Sequence, residues 1–397
     1  MKRKTNTLIL GGGFGGLAVA HTLRPLIPVE HSITLVSKSS QFVVGAAKTW
    51  VMTGERNIGA ISSDLKSVIP PNVEIHHAEV QKIDVVKGEV TTSMGMLRTN
   101  FLVIALGADL NMGAVPGLAE SALSFYTLED ALRLQERLNA FKEGELALLI
   151  PRTPFKCPPA PYEAAMVLHS MFKERGVREH IRISIYTTEP APMPAAGPEM
   201  GAFIRDLLAE RIIAYHPGKV TKSVDPKHKT ILFESGEKVR YDLLIAIPPH
   251  ESSYPVREAG LANQSGWIPV DPGTLKVATQ VGAIPVYAIG DVTALPLPGR
   301  YKPESPLVLP KAGVFAASQG AVVARRIAAE ILGKSPDDTF DGKGSCYIEI
   351  GGGQAVKGEG SFFNLPHPVM SKQAPSEEQF RDKQQWVMMW LKGNISS

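Results

Sequence analysis

One run near the start, Gly11-Gly12-Gly13-Phe14-Gly15-Gly16, restricts the fold more than any other stretch of the chain. It fits GxGxxG, with a short apolar stretch at 7–10 before it and a helix-forming stretch at 17–23 after it. In such a strand–turn–helix unit Gly11 permits the tight turn, Gly13 lets backbone approach a pyrophosphate, and Gly16 lets the helix pack on the strand. Phe14 and Gly15 open the helix whose N–H groups face the anion. A second apolar strand follows at 33–36. Where an acidic residue would hold a ribose, the chain has Ser37-Lys38, with Ser37 expected on a ribose hydroxyl and Lys38 on a phosphate.

Two later segments complete this module. Residues 73–80 and 81–86 read as strands on the adenine side, placing Val80 there, and FLVIALGA at 101–108 is an apolar strand ending in a small-residue turn with Ala105 and Gly107. Much later, PVYAIGDV at 285–292 ends in Gly290-Asp291. A carboxylate there suits a ribityl hydroxyl, because it accepts hydrogen bonds from sugar OH groups. Together the three segments describe an FAD-binding domain split by an insertion.

The insertion echoes the outer module. YDLLIAI at 241–247 resembles NFLVIAL at 100–106, and an apolar strand at 146–150, a helix at 162–172 and a strand at 181–187 make a βαβ unit, with a further helix at 197–211. Its phosphate turn is rewritten as PRTPFKCPPAP: five prolines, no glycine, and Cys157. Proline has no N–H for a phosphate and locks φ, so this turn is a poor nucleotide cradle. The expected fold class is α/β: two Rossmann-like modules of FAD/NAD(P) type, the second inserted in the first, plus a C-terminal strand and amphipathic-helix region. The boundaries are 1–110 and 272–340 for the FAD domain, 111–271 for the second module carrying Cys157, and 341–397 for the C-terminal region with Cys346.

After Asp291 a proline-rich connection leads to Lys311 and a long, small-residue helix at 314–332. Lys311 is expected to place positive charge by the pyrimidine end of the flavin ring. Residues 344–363 read as two strands joined by Gly351-Gly352-Gly353. The tail at 376–392 reads as a helix mixing tryptophans with basic residues, a composition that suits either a membrane interface or a tail packed on the body.

A length of 397 residues allows two or three domains. Net charge of only +3 gives no argument for nucleic acid, and no apolar run approaches the roughly 20 residues of a spanning helix. The basic-then-apolar start is too short for a signal peptide and runs into the glycine turn, so a cytoplasmic protein is expected. No metal site is expected.

The two cysteines, Cys157 and Cys346, are either buried thiols or a redox-cycling pair. If they meet over the flavin, a small sulfur nucleophile opens their disulfide to a persulfide and a thiolate, which passes electrons to FAD. Lys156 is placed to lower the Cys157 pKa, and Glu163 to relay protons. Without a second glycine turn, the acceptor is a quinone or a redox protein rather than NAD(P).

Through GGGFGG, FLVIALGA, FKCPPAPYE, YAIGDV, LPKAG and SCYIEIGGGQA before a Phe-Phe pair, the whole chain resembles the sulfide:quinone oxidoreductases and the flavoprotein subunit of flavocytochrome c sulfide dehydrogenase. The resemblance implies a Cys157–Cys346 redox disulfide that takes up sulfide sulfur and reduces FAD. It also implies a homo-oligomer lying peripherally on the membrane through its C-terminal helices. A quinone is implied at the flavin face opposite the cysteines, with Phe362 and Phe363 stacked on it. Two departures stand out. The third cysteine of many sulfide:quinone oxidoreductases is missing, and QFVVGAAKTWVMTGER lacks the cysteine that often anchors FAD in the flavocytochrome subunit, so FAD is expected to be non-covalent.

Other readings share parts of the pattern. A soluble sulfide dehydrogenase would hand electrons to a cytochrome, with tail-dependent membrane partitioning as the discriminator. A type II NADH dehydrogenase has the two-module plan but needs neither cysteine. A non-enzymatic flavin redox sensor would oxidise the cysteines without catalytic quinone reduction.

Overall fold

The computed structural model describes residues 4–278 and 284–395. Strand β1 (Asn6–Leu10) runs into the glycine turn, and α1 (Phe14–Leu23) leaves it. The contact between turn and helix is backbone on backbone. A Cβ on Gly16 would lie 1.9 Å from the Gly11 carbonyl oxygen, and one on Gly11, whose φ is +114°, 2.2 Å from that of Ala105. Strand β2 (Ser32–Ser37), helix α2 (Lys48–Thr53), strand β3 (Glu74–His77) and strand β4 (Phe101–Ile104) follow.

The insertion begins with α3 (Leu128–Ala140), capped by Thr127, whose side chain accepts the Asp130 N–H at 3.0 Å. Then come β5 (Gly144–Ile150), α4 (Ala160–Glu174), β6 (Ile181–Thr187), α5 (Gly197–Glu210), β7 (Ile213–His216) and β8 (Leu243–Ala246). Strands β7-β6-β5-β8 form one sheet, parallel throughout. Their near-continuous Leu, Ile and Val runs are those of strands covered on both faces. A three-stranded antiparallel sheet precedes β8 just as another precedes β4, which is the structural form of the sequence echo.

The chain then returns to the first sheet with β9 (Val286–Ala288), completing the parallel order β9-β4-β1-β2-β3. Helix α6 (Gly313–Leu332) lies along α1, close enough that a Cβ on Gly320 would meet the Gly15 carbonyl oxygen at 2.6 Å.

In the C-terminal region one strand is unexpected, and the tail takes one of its two expected places. Strands β10 (Lys343–Gly351) and β11 (Gln354–Ser361) are joined by a third, β12 (Val369–Lys372), which has little β-propensity to announce it. The tail helix α7 (Glu377–Leu391), capped by Ser376, packs on the body and buries Gln379, Lys383, Val387, Trp390 and Leu391. Trp386 stacks on Phe14 with ring centroids 5.7 Å apart, and Trp390 meets the same ring edge-on at 4.6 Å. No helix among the described residues is long and apolar enough to cross a membrane.

Candidate redox site

The glycine turn and the segments facing it fit FAD. Space around Gly13 is open, with no atom within 4 Å of where a Cβ would stand. The Ser37 hydroxyl, bonded to the Ser39 carbonyl at 2.8 Å, borders Gly12, and Ala78 N–H reaches the Ser37 carbonyl to bring buried Val80 to the same edge. Ala105 N–H bonds to the Leu10 carbonyl at 2.8 Å, and Gly107 adopts φ +72°, so the strand end turns away beside the glycines. Gly290 N–H bonds to Gln319 Oε1 at 2.7 Å. Next to it, Asp291 Oδ1 is buried with no hydrogen-bond partner among the described residues. An orphaned carboxylate oxygen is what a ribityl hydroxyl satisfies. Burial pushes Asp291 up, against the charges of Lys156 and Lys311.

Lys38 and Phe14 take other places. Lys38 projects into solvent, pairing with Glu79 at 2.7 Å. The Phe14 ring leaves the turn to pack under α7 and against Phe42 at 5.4 Å, so its part in cofactor binding is confined to the backbone.

Lys311 is not a solvated loop lysine. It is buried, its Nζ donates to the Asp291 and Thr293 carbonyls at 2.7 Å each, and it lies 3.4 Å from the centre of the Trp267 ring. Burial brings it down to about 7, with Asp291 opposing. Lys48, which no sequence pattern marks, joins it: Nζ donates to the Tyr126 carbonyl, and burial, then the charge of Lys156, bring it to about 7. Lys156 is lowered by burial too. Lys156 and Lys311 act on the unpartnered Asp291, and Lys48 acts with Lys156, which makes a site that attracts negative charge.

The proline turn reaches this site by backbone pairing. Cys157 N–H donates to the Lys311 carbonyl at 2.7 Å, which ties the second module's turn to the first module's loop. Cys157 holds φ +59°, a left-handed conformation costly for a residue with a Cβ. Such strain, on the order of 1–3 kcal/mol, persists where surrounding bonds over-determine it.

Cys346 comes from β10, with its Sγ 3.5 Å from the Tyr347 carbonyl oxygen. Both cysteines are free thiols and half-buried. Enclosure by protein pushes the Cys157 thiol well up, with Cys346 and then Glu163 adding to the rise. The Cys346 thiol is pushed up to about 12 by burial, with Glu163 adding and Lys383 opposing. Lys156, expected to lower the Cys157 pKa, is not among the charges acting on it; the opposing cation is Lys383.

Glu163 is fully enclosed rather than exposed at a helix start. It pairs with Lys383 of α7, which also reaches Glu349 Oε2 at 2.9 Å. Burial lifts Glu163 to about 7 against the pull of Lys383, and Glu349 adds to the rise. Lys383 and Glu349 lie 220 and 186 residues along the chain from Glu163 (383 − 163 and 349 − 163), and sequence spacing carries no trace of the grouping.

A cavity of about 450 Å³ opens beside Cys346. It is lined mostly by apolar groups, among them Phe155, Trp267, Leu309, Phe315 and Phe362. Phe362 meets Phe315 edge-on at 5.2 Å, whereas Phe363 packs on Phe340 at 5.4 Å. The expected pair of stacking rings is therefore split, and Phe362 shares a cavity with Cys346.

Glu189, just past the end of β6, also borders this cavity. It stands where a nucleotide-binding module carries its ribose acid. Here it accepts the Tyr162 hydroxyl at 2.8 Å, and burial raises it to about 7. The second module thus lacks the glycine turn and has its acid engaged by its own tyrosine.

Comparison with known proteins agrees with this geometry. Residues 131–248 match the family model of the sulfide dehydrogenase (flavocytochrome c) flavoprotein chain, central region, and residues 5–150 match the pyridine nucleotide-disulphide oxidoreductase family. The sulfide-quinone reductase of Aquifex aeolicus is 29% identical over 344 residues, 84% of this chain and 78% of that protein. The mitochondrial sulfide:quinone oxidoreductase of Mus musculus is 24% identical over 377 residues, 92% of this chain and 80% of that protein. The crystal structure of the Aquifex aeolicus enzyme superposes with a TM-score of 0.87 at 25% identity, covering 99% of this chain and 93% of that one. NDH2 from Plasmodium falciparum shares the fold, with a TM-score of 0.76 at 15% identity over 99% of this chain and 96% of that one.

Proposed function

We propose that the chain, which resembles the sulfide:quinone oxidoreductases along most of its length and matches the flavocytochrome c sulfide dehydrogenase flavoprotein in its central part, oxidises sulfide through a Cys157–Cys346 disulfide and delivers the electrons to a quinone. The observation that carries this reading is that two free thiols from distant parts of the chain are close enough to act on each other electrostatically, one of them lining an apolar cavity, with a titratable carboxylate and its lysine acting on both.

In the proposed cycle hydrosulfide attacks the disulfide. A new S–S bond forms as the old one breaks, leaving a persulfide on one cysteine and a thiolate on the other. Closure of thiolate and persulfide around the added sulfur releases two electrons and a proton; FAD held at the glycine turn would supply the two-electron acceptor there and the link to a quinone. The proton lost in that closure goes to Glu163, whose carboxyl titrates at about 7. Gly11, Gly13 and Gly16 hold the pyrophosphate, Asp291 a ribityl hydroxyl, and Lys311 with Lys48 keeps positive charge by the ring. The apolar wall beside Cys346 keeps water from the sulfur chain.

A second reading, in which a cytochrome takes the electrons, is favoured by one observation. The tail helix is docked on the body through Val387, Trp390 and Leu391, which a membrane anchor would present outward. For the membrane reading, a peripheral contact falls to exposed apolar residues near the C-terminus such as Leu365 and Val369. Vesicle flotation with and without the exchange of Leu365 and Val369 for serine separates the two.

The thiol cycle is tested by mass spectrometry of the protein quenched after sulfide and a quinone analogue. One sulfur added between Cys157 and Cys346 is the expected result. Unmodified cysteines in a protein that still reduces quinone with sulfide would refute it.

A further inference from the structure

The C-terminal helix brings a charge to the thiol site that the proposed cycle does not itself require. Lys383 is buried with both its partners; the side chains of Lys383, Glu163 and Glu349 are 2%, 4% and 5% exposed. Each comes from a different element: Lys383 from α7, Glu163 from α4 and Glu349 from β10. A fourth element, α2, contributes Trp50, whose Nε1 donates to Glu349 Oε2 at 2.8 Å. Two carboxylates around one ammonium leave an excess negative charge in a dry site, so one of them retains a proton near neutrality. Glu349 Oε2 receives both the ammonium and the indole N–H and is the better stabilised anion. The exchangeable proton therefore falls to Glu163, the carboxylate acting most strongly on the two cysteines.

We propose that Lys383, carried by the C-terminal helix, is a positioning residue of the thiol site: it holds Glu163 and Glu349 as a pair sharing one proton beside Cys157 and Cys346. Docking of α7 is then part of thiol reactivity, and the same helix grips the phosphate turn through Trp386 and Trp390 on Phe14. The groups facing Glu163 are Lys383, Glu349 and the thiols, and its carboxyl is also felt by Tyr126. Glu55, beyond α2, faces Glu349 and Lys383 with Arg56 beside it. The charge of ionised Glu163 raises both thiols, so thiol reactivity, which climbs with pH, climbs less steeply as Glu163 loses its own proton.

This inference rests on Cys157 and Cys346 being reactive thiols, and the experiment separates the two. Reduced, FAD-loaded protein is alkylated anaerobically with iodoacetamide across a range of pH, and each cysteine peptide is quantified by mass. The wild-type rate is expected to rise with pH and to climb less steeply through an inflection at about 7. Lys383→Gln removes the ammonium from two carboxylates, so Glu163 keeps its proton longer and the inflection moves up. Glu349→Gln leaves a one-to-one pair, so the inflection moves down. Each shift is about one pH unit. Lys383→Arg is expected to leave the inflection in place.

Opposite shifts in the two glutamine variants are the expected result. Shifts in the same direction, or an unmoved inflection with lowered melting temperature, overturn the proposal and leave Lys383 a structural ion pair. Should Lys383→Gln fail to fold, Glu349→Gln decides alone, since its amide oxygen still accepts the Trp50 N–H: a downward shift supports the proposal and no shift overturns it. Thiols inert in the wild type overturn the thiol reading and this inference together.

Discussion

The two modules carry the same strand–turn–helix at β1–α1 and β5–α4, and their turns have opposite chemistry. The first is six residues with five glycines, backbone close-packed and N–H groups free for an anion. The second has five prolines around a cysteine, and the Cys157 N–H reaches across to the other module at the Lys311 carbonyl. A phosphate turn works by having no side chains. Filling it with prolines and a strained cysteine takes away N–H groups a phosphate would need and puts a thiol in the loop. The fold is unchanged, and the chemistry follows from which residues occupy one loop.

The largest effect expected from breaking this contrast lies in the second turn. Cys157→Ser and Cys346→Ser are each expected to lower sulfide-driven quinone reduction by ~1000-fold or more while FAD still binds, because the disulfide that hydrosulfide attacks can no longer form and the cradle is untouched. Steady-state assay beside flavin absorbance checks both halves.

Next comes the first turn. Gly11→Ala meets the Ala105 carbonyl at 2.2 Å and a φ of +114°, at a cost on the order of 3 kcal/mol, or ~100-fold weaker FAD binding by titration of apoprotein. Gly13→Ala meets no protein atom and has φ −89°, so any loss of FAD affinity there reports the cofactor's own approach.

A smaller effect concerns the acid left behind in the second module. Glu189 is raised from 4.5 to about 7 by burial, so the folded chain binds a proton there that the unfolded chain has lost. Stability therefore falls as pH rises from 4.5 to about 7 and is flat above. Glu189→Gln keeps the Tyr162 hydrogen bond and is expected to remove that pH-dependent change, about 3 kcal/mol across the window, read from melts at several pH values.

The smallest effect is at the strained residue itself. Cys157→Gly is expected to be about 1 kcal/mol more stable than Cys157→Ala, because glycine accepts φ +59°. Equal stabilities would mean the loop relaxes.

What was readable in the chain follows the same division. The glycine turn, the strand ending in Asp291 and the proline turn are local, and each carries its physical reason within a dozen residues. The grouping of Glu163, Glu349 and Lys383 is long-range, and no spacing announces it. Lys48 shows no pattern either; only the fold buries it and brings it close to Lys156. The tail was ambiguous for a physical reason. A tryptophan-rich helix suits a membrane interface or a protein surface, and only the fold shows Lys383 turned inward and Trp386 on Phe14. Phe362 and Phe363 are neighbours in sequence, but the turn that follows β11 sends them to different partners.

The central claim is that the first turn holds FAD and the second has exchanged nicotinamide for a thiol pair. Anaerobic flavin absorbance of the FAD-loaded protein, titrated in parallel with sulfide and with NADH, tests it most directly. The account predicts bleaching by sulfide, recovery on adding a quinone analogue, and no bleaching by NADH. Rapid bleaching by NADH with none by sulfide would contradict it and return the second module to nucleotide binding.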